Sequence, residues 1–218
     1  MSDDFQAPCW QPNTYNLWPT ILIRRMLIGC EEPNRALITL VEEMDREGDQ
    51  LTAGNWQNVD LLNIDHDGIR WLRTGIDETV RAYLDQVGMN YGVGWKTTAW
   101  PNINRLGDYH APHNHAWSYL SGTYYVKVPE SPEDAAPGGP ASSAGISFYD
   151  PRAAVNMLAR DGEALSRREF AVRPRAGTML MWHSSIYHSV HSNLSEDTRI
   201  SISFNMALAW SDHYLSDE

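Results

Sequence analysis

Apolar residues recur every three to four positions in two stretches of the first half of the chain. Leu37, Ile38, Val41 and Met44 form one series, with Pro33-Asn34 before it and Gly48 after it. Ile69, Leu72, Ile76, Val80, Tyr83, Leu84 and Val87 form a longer one, bounded by Asp67 and Gly88. That period puts the apolar side chains on one helical face; Asp is a good N-cap and Gly a common terminator. The spacing predicts two amphipathic helices, preceded by a strand over residues 20–27. From Trp95 onward the helical period is gone. Strands are predicted at 96–105, 118–128, 146–149, 170–172, 178–182, 187–191 and 199–209. Residues 129–145, rich in Pro, Ser, Ala and Gly, read as a loop, and 152–168 as an insertion. Helices followed by many short strands predict a mainly β (α+β) jelly roll with N-terminal helices packed on one sheet. One domain is expected over 1–218, with 1–94 as a strand and helical support region and 95–209 as the core.

Composition narrows the class. The 218 residues carry 17 Lys+Arg against 28 Asp+Glu, a net charge of −11. Phosphate binding needs clustered cations, so a nucleic-acid partner is not expected. The longest apolar runs, such as Ile21-Leu22-Ile23, fall far short of the ~18–20 residues of a membrane span. The acidic start Ser2-Asp3-Asp4 lacks the basic region of a signal peptide. Cys9 and Cys30 have no Cys-x-x-Cys spacing and read as reduced thiols of a cytoplasmic protein. The 9 Trp and 10 Tyr outnumber the 4 Phe, and rings with polar handles belong at half-wet surfaces or around a cavity.

Most of the eight histidines fall in two clusters, Asp108-Tyr109-His110-Ala111-Pro112-His113-Asn114-His115 and Trp182-His183-Ser184-Ser185-Ile186-Tyr187-His188-Ser189-Val190-His191. Residues i and i+2 of a strand share a face, so His113 and His115 can present two imidazoles to one point. A third ligand from a distant strand would complete a facial set with open positions, which suits non-haem Fe(II) oxygen chemistry. A solvated or hydrogen-bonded histidine is the plainer reading of each residue alone.

The surrounding text resembles the 2-oxoglutarate/Fe(II)-dependent oxygenase superfamily, in particular a bacterial and phage branch with a His-x-His motif. The resemblance rests on Arg105-Leu106-Gly107-Asp108-Tyr109, His113-Asn114-His115 and Leu120-Ser121-Gly122-Thr123-Tyr124-Tyr125-Val126. It continues through Gly177-Thr178-Met179-Leu180-Met181-Trp182, His188-Ser189-Val190 and Arg199-Ile200-Ser201. It implies a double-stranded β-helix of cupin-like shape, with Fe(2+) and 2-oxoglutarate as metal and cosubstrate. It further implies His113 as the first metal ligand and His188 as the distal one. His115 stands where the family has Asp or Glu, a departure that leaves the centre more positive and leaves another metal, such as zinc, open. Should His115 not bind, Asp108 or Asp150 would supply the carboxylate, although Asp108 reads as a turn residue and Asp150-Pro151 as a strand end.

The same resemblance assigns Arg199, eleven residues after His188, to the far carboxylate of 2-oxoglutarate, which a guanidinium matches in two prongs. The alternative for Arg199 is a solvated charge beside Glu196 and Asp197. Ser201 would add a hydroxyl and Tyr125 a phenol, with Ser121 on the same face as Tyr125. Alternation alone leaves open whether Tyr124 or Tyr125 faces inward. Asn102, Asn104 and Asn205 are further inward-facing candidates. His110, His183 and His191 read as lining the cavity mouth or donating to the ligands, with surface placement the plainer reading; His66 and His213 are expected in solvent; Trp117 and Trp182 read as stacking on substrate or, more plainly, as packing in the sandwich. Trp117, Tyr124, Tyr125, Trp182 and Tyr187 together read as the wall of a cavity.

The implied activity is oxidation, as hydroxylation, of an unidentified small molecule or peptide by O2, with 2-oxoglutarate converted to succinate and CO2. Two alternatives stand beside it: a cupin-like three-His dioxygenase that does not use 2-oxoglutarate, and a non-catalytic jelly-roll binding module. A homodimer is compatible with either.

Overall fold

The computed structural model describes residues 19–47, 60–89, 92–129, 145–152 and 168–209. Cys9, Gly48, His213 and nearly all of the 129–145 and 152–168 segments lie outside the described residues.

The helices form where the period places them. Helix α1 spans Glu31–Glu47 and α2 spans Asp67–Gln86. Helix α1 begins two residues before Pro33; a proline in the first turn loses no intrahelical bond, because its N–H would lack a partner there anyway. Asn34 is therefore inside the helix, where its side chain accepts from the Tyr124 hydroxyl at 2.7 Å. At α2 the N-cap is His66, not Asp67: its Nδ1 accepts from Gly68 N at 3.1 Å. Gly88 takes a φ of 77°, the left-handed turn that ends a helix without a Cβ penalty. Between the helices, Asp60 caps a short 3-10 turn at Leu61–Asn63.

Among the described residues nine strands make two antiparallel sheets. Strands β1 (Leu22–Met26), β7 (Thr178–His183), β4 (Leu120–Lys127), β9 (Arg199–Ala209) and β2 (Gly94–Asn104) form the five-stranded sheet, in that order. Strands β3 (His110–His113), β8 (His188–Val190), β5 (Ile146–Tyr149) and β6 (Glu169–Val172) form the four-stranded one. This is the predicted jelly roll.

The two faces of the larger sheet differ in chemistry. Leu120, Tyr124 and Val126 of β4, Met179 and Met181 of β7, and Ile200, Ile202, Phe204 and Met206 of β9 pack with Leu37, Val41, Leu72, Ile76 and Val80 of the helices. This is the main hydrophobic core, and it lies between sheet and helices. Alternate residues turn the other way, toward the second sheet, where Tyr125, Leu180 and Trp182 meet Ile146, Phe148 and Val172. The inward face also carries Ser121, Asn102, Asn104, Arg199 and Ser201, all buried. A buried polar row is tolerated only with partners. Asn104 lies opposite Arg199 and Ser121 opposite Asn205, each bonded to that neighbour, and Asn102 Nδ2 donates to Ser203 Oγ at 2.9 Å.

Candidate metal and cosubstrate site

His113 closes β3 and His188 opens β8, and the two are direct partners across the smaller sheet. Their ring centroids are 4.3 Å apart. His115 is not on the strand, as i+2 reasoning assumed; β3 stops at His113 and His115 sits in the following turn. Backbone bonds hold it there: His115 N donates to Ser184 O, and Ser118 N to His115 O, both at 3.0 Å. Its ring lies 5.1 Å from His113 and 5.3 Å from His188. Each of the three offers one nitrogen within 4.8 Å of the others.

The donor chemistry fits a divalent metal. His113 Nδ1 donates to Ala111 O at 2.7 Å and His188 Nδ1 to Ile186 O at 3.0 Å. Since a carbonyl only accepts, each ring keeps its proton on Nδ1 and presents a bare Nε2. Burial pushes His115 down to about 4 and His188 to about 3, so both are neutral at pH 7. Near His115, Asn205 Nδ2 lies 3.4 Å from Nδ1, and the Asn205 Oδ1 accepts from Ser121 Oγ at 2.8 Å. A hydroxyl both donates and accepts, so this Ser121–Asn205–His115 relay can also run reversed, with His115 Nδ1–H donating to the amide oxygen. In that sense all three histidines offer Nε2. Neither Asp108 nor Asp150 joins them: Asp108 Oδ2 caps its own turn at Arg105 N (2.8 Å), and Asp150 pairs with Arg152 at 2.6 Å.

Beside the cluster a narrow pocket is lined by His113, Tyr125, Arg199 and Ser201, and also by His110, Thr123, Trp182 and Ser203. Arg199, on the first residue of β9, is only 1% exposed, which sets aside the solvated alternative. Its Nη2 donates to Asn104 Oδ1 at 2.7 Å. Burial lowers its pKa from the ordinary value, a start high enough to leave it charged. Tyr125 is pushed up to about 12 by the same burial and stays a neutral phenol, able to donate. Trp182 Nε1 is buried with no hydrogen-bond partner among the described residues. A cation, a phenol, hydroxyls and an unmet N–H converge here, the complement of a carboxylate.

A family model described as "Putative 2OG-Fe(II) oxygenase" matches residues 98–205, which hold every one of these side chains. The chain belongs to the 2-oxoglutarate/Fe(II)-dependent oxygenase superfamily. Solved structures place the oxygenase in the same fold. A prolyl-4-hydroxylase of Pseudomonas putida covers 85% of this chain and 86% of its own, at TM-score 0.57 and 16% identity. The α-ketoglutarate-dependent epimerase SnoN of nogalamycin biosynthesis covers 89% and 82%, at 0.59 and 15%. HygX of Streptomyces hygroscopicus, solved with nickel and 2-oxoglutarate, covers 86% and 82%, at 0.52 and 13%. No curated protein matches the chain.

Members of this superfamily use Fe(II) and 2-oxoglutarate, and the three-histidine cluster offers the oxygenase a set of donors for the metal. Several expectations need correction. His110 is not a surface residue: it lines the pocket beside Asn104 (3.4 Å) and burial pushes it down to about 4. His191 is half-buried and bonded to Ser147 Oγ at 2.6 Å, and His183 is half-buried against Tyr119. Trp117, expected in packing, is 98% exposed, and Tyr187 is exposed as well, so neither walls this pocket. Tyr124 points to the helices and meets Trp71 edge-on at 5.9 Å, which settles Tyr125 as the inward ring. Ser121 is inward but reaches Asn205 rather than lining the pocket. Trp182 does pack, 4.8 Å from Phe148 and 4.8 Å from His188. Thr123 and Ser203 were missed, although alternation from Tyr125 and Ser201 points to both. Cys30 is a free thiol. No described helix is long and apolar enough to cross a membrane.

Proposed function

We propose that the oxygenase hydroxylates a substrate R–H, consuming O2 and 2-oxoglutarate and yielding R–OH, succinate and CO2. His113, His115 and His188 hold the iron, and Arg199 with Ser201 and Tyr125 holds the far carboxylate of the cosubstrate. Bound Fe(II) supplies the oxygen activation and the chelation of the keto acid. Everything else falls to the chain. The Nδ1 anchors of His113 and His188 fix ring orientation, as outer partners of metal-bound histidines do. Tyr125 donates a hydrogen bond from its phenol to the carboxylate, and Arg199 meets its charge where water is scarce. Ser121 acts through Asn205 on His115. Trp182 and Phe148 keep water from one side of His188.

The observation that supports this reading is the adjacency of the two constellations, since His113 belongs to the histidine cluster and also lines the Arg199 pocket. Space in the pocket is tight, about 30 Å³, room for water rather than for a five-carbon diacid. Loading the cosubstrate therefore moves lining side chains, beginning with the Arg199–Asn104 contact. The test is anaerobic addition of Fe(II) and 2-oxoglutarate, which is expected to give a visible charge-transfer band that His188→Ala removes. Absence of both the band and calorimetric 2-oxoglutarate binding would defeat the reading. Turnover of substrate without 2-oxoglutarate would favour the three-His dioxygenase alternative.

A further inference from the structure

His115 faces a second space. An open cleft of about 560 Å³ is lined by His115 and Asn205 together with Asp60, Trp100, Asn114 and Trp117. Its size suits a small molecule or a short stretch of chain. Its chemistry is opposite to that of the Arg199 pocket. Among the described lining residues the one formal charge is Asp60, and no Lys or Arg contributes. An anionic substrate would find no Lys or Arg there and would meet a carboxylate. Asp60 is rigidly presented, since Oδ1 accepts from Leu62 N and Ala99 N and Oδ2 from Asn63 Nδ2, each at 3.2 Å. Four lone-pair sites on a carboxylate leave capacity for one more donor.

The indoles supply the second half. Trp117 is 98% exposed, an apolar area that no part of the described core covers. Trp100 sits 6.1 Å from the His115 ring, tilted at 58°. Indole faces attract cations, Trp most strongly of the aromatics, and they also cover flat apolar groups. Resting on the oxygenase reading of the histidine cluster, we propose that this cleft is the substrate site. It takes a substrate bearing a cationic nitrogen, an alkylammonium or guanidinium group, stacked on tryptophan with Asp60 as counter-charge. The protein then sorts its two organic ligands by sign, the diacid toward Arg199 and the cation toward Asp60 and Trp117. The net charge of −11 favours the approach of the cation over any distance that salt leaves unscreened.

Calorimetry on the full chain loaded with Ni(II) and 2-oxoglutarate tests this with three blocked amino acids of similar size. They are the Nα-acetyl amides of arginine, of its neutral isostere citrulline, and of glutamate. The arginine derivative is expected to bind at least tenfold more tightly than the other two and to weaken as salt rises. Trp117→Ala and Asp60→Asn should each weaken it five- to tenfold; Asn retains the capping ability of Asp60. Each variant's 2-oxoglutarate binding reports that it is folded. An arginine-centred pentapeptide runs in parallel. Tighter binding of either cationic form supports the proposal and shows whether a free molecule or a chain presents the cation. Equal or tighter binding of citrulline or glutamate, or no binding of any probe, overturns the inference, as does an unaltered affinity in Trp117→Ala. If 2-oxoglutarate itself fails to bind the wild-type chain, the oxygenase reading of the cluster falls instead, whatever the probes do.

Discussion

Asn205 is the side chain whose removal most directly tests how His115 is held. The perturbation is Asn205→Leu, which keeps the branched heavy-atom shape and deletes both polar contacts. Two bonds are lost, the 2.8 Å one from Ser121 and the 3.4 Å one at His115 Nδ1. Loss of an outer partner of a metal-bound histidine typically costs 10- to 100-fold in metal affinity, about 1.4–2.7 kcal/mol. The lower half of that range is expected here. His115 keeps its backbone bond to Ser184 O, so the variant frees the ring and not the turn, and the 3.4 Å contact is long for a strong bond. A separate cost of about 1–3 kcal/mol falls on folding, because Ser121, only 1% exposed, is left with an unmet hydroxyl. Asn205→Asp is the informative companion. Its carboxylate can only accept, which fixes the Nδ1–H form of His115 and raises the basicity of Nε2, so metal binding should hold or tighten. Anaerobic Co(II) titration followed by its visible bands measures affinity, and thermal melts of the metal-free chain measure the folding cost. Wild-type Co(II) affinity in Asn205→Leu, beside a large loss in His115→Ala, would refute the relay. Wild-type affinity in both would remove His115 from the ligand set.

Other outcomes follow from the same contacts. Arg199→Met should weaken 2-oxoglutarate by about 2–5 kcal/mol, some 30- to 5,000-fold by calorimetry, while changing Co(II) affinity little; equal loss of both would make Arg199 structural. Tyr83 and Tyr125 are held at about 12 by burial, and Tyr124 is raised too, against about 10 in the unfolded chain. The unfolded state therefore sheds these protons first, and stability should fall as pH rises from 10 to 12. Absorbance at 295 nm should show these tyrosines ionising only with unfolding; ionisation near pH 10 in the folded protein would contradict their burial. Gly122→Ala would place a Cβ 2.2 Å from Phe204 Cζ and 2.6 Å from Leu180 O, costing on the order of 3 kcal/mol. Adding Phe204→Leu relieves the ring and not the carbonyl, so the double variant should recover only part of the melting temperature. Finally, because the Arg199 pocket must open, the observed rate of 2-oxoglutarate binding should level off with concentration in stopped-flow, where a preformed pocket would give a straight line.

What could be read from residues alone depended on whether a local period was at stake. Strand β9 and helix α2 were predicted to within a few residues, since each carries a long series of apolar positions at its own repeat. Cap identity was not readable, because His66 and Asp67 are neighbours and only the backbone torsion at His66 decides which one turns back. His115 was placed on a strand by its spacing from His113. Its position is in fact set by Ser184, 69 residues away in the chain, through a backbone bond that no local pattern encodes. His110 lines the pocket for a similar reason: Arg199, 89 residues further along the chain, reaches the same pocket from the other sheet. Trp117 failed in the opposite direction. A tryptophan is buried by default, and leaving one almost wholly exposed makes sense through the cleft beside it.

The alternation along β9 explains why the site lies inside the barrel at all. Along β9, Ile200, Ile202, Phe204 and Met206 alternate with Arg199, Ser201, Ser203 and Asn205. In a two-layer sandwich the apolar row would be expected to face the opposite sheet. Here it faces the helices, and every residue of the apolar row is 1% exposed or less. The helices thus supply the stabilising core on the outside of the larger sheet. That frees the inner face from the need to be apolar, and β9 fills it with a guanidinium, two hydroxyls and an amide. A jelly roll whose core lay wholly between its sheets would have to place those groups elsewhere. The polar interior holding Arg199 and the relay to His115 depends on the two N-terminal helices, although neither helix contributes a side chain to the Arg199 pocket or to the cleft.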